Sequence, residues 1–119
     1  SVSLNPPLIS IALDRGSTVL PHLQAAESFA VNVLRDSQRE LSIRFAQWPE
    51  GRFDGLQWSP GELGAPLFPD MLAVFECRKT QAIDAGDHVL FLGEVVRFAW
   101  DEGEPLIYFG SRYRELKRD

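Results

Sequence analysis

The side chains best suited to chemistry fall in three places. Asn32 is an amide inside the otherwise apolar run FAVNVL, residues 29–34. A buried amide must find hydrogen-bond partners, so it either pairs with nearby backbone or offers donors and acceptors to the edge of a heterocyclic ligand. Ser1 and Ser3 alternate with Val2 and Leu4, and the period of a strand puts both hydroxyls on one face. There they are either solvated or turned toward a ligand phosphate or ring carbonyl. His88 follows Asp87, with Tyr108 and Tyr113 downstream. An imidazole near neutral pH can donate, accept or carry charge, although a turn aspartate, a half-exposed histidine and two strand aromatics explain the same pattern.

The common enzymatic signatures are absent. No G-x-G-x-x-G follows a strand, and there is neither a P-loop lysine motif nor a G-x-S-x-G elbow. Gly86 and Gly93 lie seven apart within a strand pattern, the wrong setting for a phosphate cradle. One cysteine, Cys77, excludes an internal disulfide framework and fits a reducing cytoplasm. With two histidines, His22 and His88, it makes no recognisable zinc site. A net charge of −5 argues against nucleic-acid binding, which depends on phosphate neutralisation. No apolar run approaches the roughly 20 residues that span a bilayer, so neither nucleic acid nor membrane is expected as a partner.

The 119 residues, 45% hydrophobic and 24% charged, suit one globular domain spanning 1–119. LISIAL (8–13) reads as a buried strand ending at DRG. A helix is expected near 18–28, with Ser17 or Thr18 as N-cap and Pro21 in its first turn. FAVNVL is a second strand. A second helix is expected near 37–46, where Ser37 and Glu40 have capping-box spacing and Leu41 and Phe45 share a face. Residues 47–66 have no period and read as a long loop, a frequent home of function. MLAVFECRKTQAI and GDHVLFLGEVVRFAW are long strands, DEGE turns the chain into PLIYFGSRY, and RELKRD is a polar tail. Strands, two short helices and hairpin turns predict a mainly β fold, a barrel with helical crossovers.

Six motifs in order carry a family resemblance: SVSLNPPLISIAL, FAVNVL, the Gln38, Leu41, Ser42, Phe45, Ala46 pattern followed by Arg52–Phe53, GAPLF with LAVFEC, GDHVLFLGEV, and PLIYFGSRY. Together they resemble the flavin reductase-like family with the FMN-binding split-barrel fold, which includes reductase components of two-component flavin monooxygenases. The resemblance implies an antiparallel split β-barrel with Greek-key-like connections. Family members carry about one helix and two strands ahead of the S-x-S-x-x-P-P segment, so a chain that opens in mid-strand is expected to be N-terminally truncated, with its barrel open on that side.

The resemblance also implies roles. Ser1, Val2 and Ser3 would line the isoalloxazine and ribityl chain, and Ser17 and Thr18 would meet the flavin phosphate, although Gly16 stands where the family often has a hydroxyl residue. Asn32, Val33 and Leu34 would flank the ring, and Phe45, Arg52 and Phe53 would close the pocket. His88, Tyr108 and Tyr113 match motifs associated with the nicotinamide nucleotide. The implied activity is hydride transfer from NADH or NADPH to FMN or FAD, needing no acid–base dyad, in a cytoplasmic homodimer that supplies reduced flavin to an oxygenase. The alternative is an electron carrier with permanently bound FMN.

Overall fold

The computed structural model describes every residue except Arg118. Five strands form one antiparallel sheet: β1 (Ser3–Leu4), β2 (Pro7–Asp14), β3 (Ser28–Val33), β6 (Ala73–Ala85) and β7 (His88–Trp100), in the order β1-β2-β7-β6-β3. Two short strands, β4 (Ser59–Pro60) and β5 (Pro66–Leu67), pair with each other, as do β8 (Ile107–Tyr108) and β9 (Tyr113–Arg114). The helices are α1 (Leu20–Ala25) and α2 (Arg39–Gln47). The mainly β, antiparallel architecture is the one expected. β3, β6 and β7 follow one another across the sheet while β2 lies on the far side of β7, which is the Greek-key order. The sheet does not close, and β1 and β3 are its edges among the described residues.

Strand alternation decides which face is which. Leu13 pairs with Val89, Ile11 with Phe91 and Phe29 with Cys77, so these side chains share one face. There α1 lays Leu20 and Leu23 across them, completing a core around Phe29, Cys77, Val89 and Phe91. Gly93 is needed in this core, since a Cβ there would overlap the Phe29 ring and the Cys77 side chain. The β6–β7 hairpin turns in two residues, with Gly86 at φ 65° in the first. A tight turn matching strand twist takes glycine at that place. Farther along, Glu76 pairs with Arg97 and Cys77 with Val95, leaving Val96 as an extra residue on β7. Such a bulge bends the strand locally.

Local details depart from expectation. The first helix is confined to residues 20–25, because the Ser17 Oγ accepts the Val19 N–H (3.2 Å) in a preceding turn. The second begins with a 3-10 turn at Asp36–Gln38, one residue before the expected start. Its cap is therefore the Gln38 side chain, whose Oε1 accepts the Arg35 N–H at 2.7 Å, and not the Ser37/Glu40 pair. PLIYFGSRY is a small hairpin, broken where Gly110 and Ser111 both take positive φ. Gln47 closes α2, and the rest of the 47–66 loop contains only the two-residue β4 and the start of β5. Within the expected tail, Arg114 belongs to β9 and Arg118 lies outside the described residues.

Candidate active site

On the sheet face opposite α1, four aromatic rings pack together. α2 presents Phe45, whose ring lies edge-on to Phe53 (5.2 Å) and to Phe68 (5.5 Å). Phe53 stacks on Phe68 at 5.6 Å and meets Trp58 edge-on at 5.7 Å. The loop carrying Phe53 is tied to α2 by arginines. Arg44 donates to the Asp54 carbonyl (2.8 Å) and lies over the Trp48 ring, and the Arg52 Nε donates to the Trp48 carbonyl at 2.6 Å. Arg52 thereby shapes the loop beneath Phe53.

Asn32 joins this assembly through backbone. Its Nδ2 donates to the Pro66 carbonyl (3.2 Å), and its Oδ1 accepts the Phe68 N–H (3.1 Å). The amide thus acts as a strand edge, holding the segment that carries Phe68 against β3. Val33 and Leu34 are half-buried beside it, their carbonyls accepting the N–H groups of Leu72 and Leu106. Asn32, Phe45 and Phe53, far apart in sequence, converge on Phe68, forming an aromatic wall exposed at Phe53 and Trp58.

A second cluster forms at the other end of the sheet. Asp14 pairs with His88, and the Arg15 N–H donates to the Asp87 carbonyl (2.9 Å), so the turn bearing Ser17 and Thr18 adjoins the hairpin bearing His88. Arg15 ties the two together through the Gly86 carbonyl (2.9 Å) and the Asp84 carboxylate (2.8 Å). The N–H groups of Gly16, Ser17, Val19 and Leu20 are spent within the turn itself. An anion here would therefore meet hydroxyls and the Thr18 backbone more than a helix end. The His88 Nδ1 lies 2.7 Å from Asp87, and that hydrogen bond, then the imidazole charge, lowers the Asp87 carboxyl from its ordinary range.

Tyr108 and Tyr113 form a third group, beyond the opposite end of β7 from His88. Their rings meet edge-on at 5.1 Å. The Tyr113 hydroxyl is 2.8 Å from the Ser42 Oγ, and the Arg39 guanidinium sits 4.7 Å over the ring. Both contacts come from α2, the helix that also carries Phe45. A cleft of about 470 Å³ opens here beside Arg39, Leu106 and Tyr113. Ser1, Val2 and Ser3 lie elsewhere, on the β1 edge of the sheet, where Ser3 pairs with Leu8.

The family model described as "Flavin reductase like domain" matches residues 1–117. The chain belongs to this family. Among flavin reductase-like relatives, it is 42% identical over 119 residues to the FMN reductase (NADH) SmoA of Agrobacterium fabrum, covering 99% of this chain and 67% of that one. It is 40% identical over 98 residues to the stachydrine N-demethylase reductase subunit Stc3 of Rhizobium meliloti, covering 82% of this chain and 43% of that protein. The chain therefore spans about two thirds of the length of the first of these curated relatives and less than half of the second. The solved Streptomyces globisporus NADH:FAD oxidoreductase SgcE6, in complex with NAD and FAD fragments, superposes with a TM-score of 0.93 at 36% identity, covering 100% of this chain and 73% of that one.

Within this flavin reductase-like domain, Asn32, Phe45, Arg52 and Phe53 are brought together, and Ser17, Thr18 and His88 share a corner. His88 does not meet Tyr108 or Tyr113 within one chain. The residues not singled out from sequence are Phe68, Trp58 and Arg39. Phe68 stands in the quoted GAPLF motif, and its role was hidden because the stacking partners are 15 and more positions away. Trp58 and Arg39 carry no local signal, since an aromatic in a loop and an arginine opening a helix are ordinary.

Proposed function

We propose that the domain is an NAD(P)H-dependent flavin reductase, binding FMN or FAD and passing reduced flavin to a partner oxygenase. The supporting observation is the aromatic wall of Phe45, Phe53, Phe68 and Trp58 with Asn32 behind it. A planar tricyclic ring needs aromatic and aliphatic surface on its flank and fixed polar backbone at its edge, and this arrangement fits that need. Bound flavin and nicotinamide supply the hydride acceptor and donor between them.

The chain's own residues bind and orient. Phe45 and Phe53 close the ring pocket, Val33 and Leu34 flank it, and Arg52 secures the loop. Ser17 and Thr18 offer hydroxyls to the phosphate, and Ser1, Val2 and Ser3 line the ribityl side. His88, Tyr108 and Tyr113 engage the nicotinamide nucleotide. No side chain has to take a proton from carbon, so the protein's contribution is alignment of two rings at contact distance. Because His88 and the tyrosines lie at opposite ends of β7, a homodimer, in which a second copy brings them together, is part of the proposal. A cytoplasmic setting accords with the free Cys77, and among the described residues no helix is long and apolar enough to cross a membrane.

The separation of His88 from the tyrosines also favours a second reading, an electron carrier with permanently bound FMN and no nicotinamide site. Steady-state NADH oxidation with added FMN separates the two. Turnover that saturates in both NADH and FMN supports the reductase. Tight FMN binding without NADH oxidation supports the carrier.

A further inference from the structure

Glu76 is the one buried charged residue among the described residues, 2% exposed, and it lies outside every group discussed above. It stands two positions from Val74, the partner of Asn32, so Glu76 and Asn32 project from the same sheet face. Its Oε1 accepts the Glu62 N–H at 2.6 Å, and its Oε2 lies 3.7 Å from the Nε of exposed Arg97. Gly61 packs so closely that a Cβ there would overlap the carboxylate. The segment it holds is a compact turn, closed by Gly61 N–H to Ala65 carbonyl (2.8 Å) and Gly64 N–H to Gly61 carbonyl (3.0 Å). That turn joins β4 to β5, and so links Trp58 to Phe68.

We propose that Glu76 is a positioning residue of the flavin site, latching the β4–β5 turn to the sheet so that Phe68 and Trp58 stay in the aromatic wall. Residues 59–68 are held to the sheet at three polar points, one of them the Ser28 hydroxyl, which donates to the Leu63 carbonyl at 3.0 Å. Glu76 grips the turn at Glu62, and Asn32 grips the outgoing arm at Pro66 and Phe68. A carboxylate in a near-dry setting makes a strong, directional bond to an N–H, and direction is what a wall of stacked rings requires. The inference rests on the flavin-binding reading above.

The test is amide hydrogen exchange combined with FMN titration of the protein and three variants. Glu76→Ala removes the latch. Gly61→Ala pushes the turn off the same carboxylate without touching the sheet, which covers the case where the first variant does not fold. Glu76→Gln keeps an oxygen that can accept from Glu62. Expected are faster exchange at the Glu62 and Phe68 amides in the two alanine variants, unchanged protection of the β2 and β7 amides, and an FMN Kd raised about tenfold. Glu76→Gln should stay within about threefold of the parent. Unchanged FMN affinity despite released turn amides overturns the proposal, as does a glutamine variant as impaired as the alanine. If the unsubstituted protein itself binds no FMN, the flavin reading fails first and the positioning role falls with it. The exchange data alone then show whether the latch exists.

Discussion

The two faces of the central sheet are built on different physics. On one, α1 covers Ile9, Ile11, Leu13, Phe29, Cys77, Val89 and Phe91 mainly by apolar contact, with the Lys79 Nζ pinning its end through the Leu23 and Gln24 carbonyls. On the other, residues 59–68 are held by the Asn32 amide, the Glu76 carboxylate and the Ser28 hydroxyl, and the aromatic wall sits on what they hold. Apolar burial is strong and non-directional, so it stabilises the sheet without dictating ring positions to a fraction of an ångström. Hydrogen bonds contribute less net stability but fix direction. The first face should govern stability and the second ligand affinity.

The largest expected effect breaks the first face. Phe91→Ala empties the centre of the core and should cost about 3–5 kcal/mol in denaturant-measured stability, while FMN affinity per folded molecule stays near that of the parent. Equal losses in both would mean that the faces are not separable. Next comes Cys77. Burial raises its thiol from the ordinary 9.0 to about 11, so the folded protein keeps the proton where the unfolded chain releases it. This contribution is fully present below pH 9 and is lost as pH rises toward 11, a decline of about 2–3 kcal/mol. Cys77→Ala should flatten that slope in unfolding curves recorded from pH 8 to 11.

Asn32→Leu addresses the second face. It strands the Phe68 N–H and the Pro66 carbonyl, with a stability cost of about 1–2 kcal/mol and weaker flavin binding in a fluorescence titration. Unchanged affinity would confine Asn32 to the fold. The smallest structural effect belongs to His88→Ala, a half-exposed side chain whose loss should alter stability by less than about 0.5 kcal/mol. Its expected signature is a raised KM for NADH with FMN affinity preserved. An NMR titration should also show the Asp87 carboxyl moving back up once the His88 hydrogen bond is gone. Kinetics identical to the parent would instead remove His88 from the nicotinamide site.

Much of the fold was legible along the chain because apolar runs such as LISIAL and GDHVLFLGEV, bounded by turn residues, declare a strand. Helix ends were less legible. The Ser37/Glu40 spacing was a valid capping signal, yet a 3-10 turn one residue upstream let the Gln38 side chain take the cap. Of the candidate site, the polarity break at Asn32 was visible. Its partners were not, because they lie 34 and 36 residues away on a segment without periodicity.

By itself the sequence determined the strand pattern, the family to which six ordered motifs point, and the residue types available for chemistry. These are local properties, set by side-chain period and by turn residues such as Gly86. Only the tertiary structure decided that Asn32 spends its amide on Pro66 and Phe68, that Ser17 and Thr18 adjoin His88, and that the tyrosines pack on α2 away from it. It also decided that Glu76, one acidic residue among 17, is the buried one. Such facts depend on which strands pair and in which register, and pairing between distant segments is set by the closure of the whole core, which no local stretch of sequence encodes.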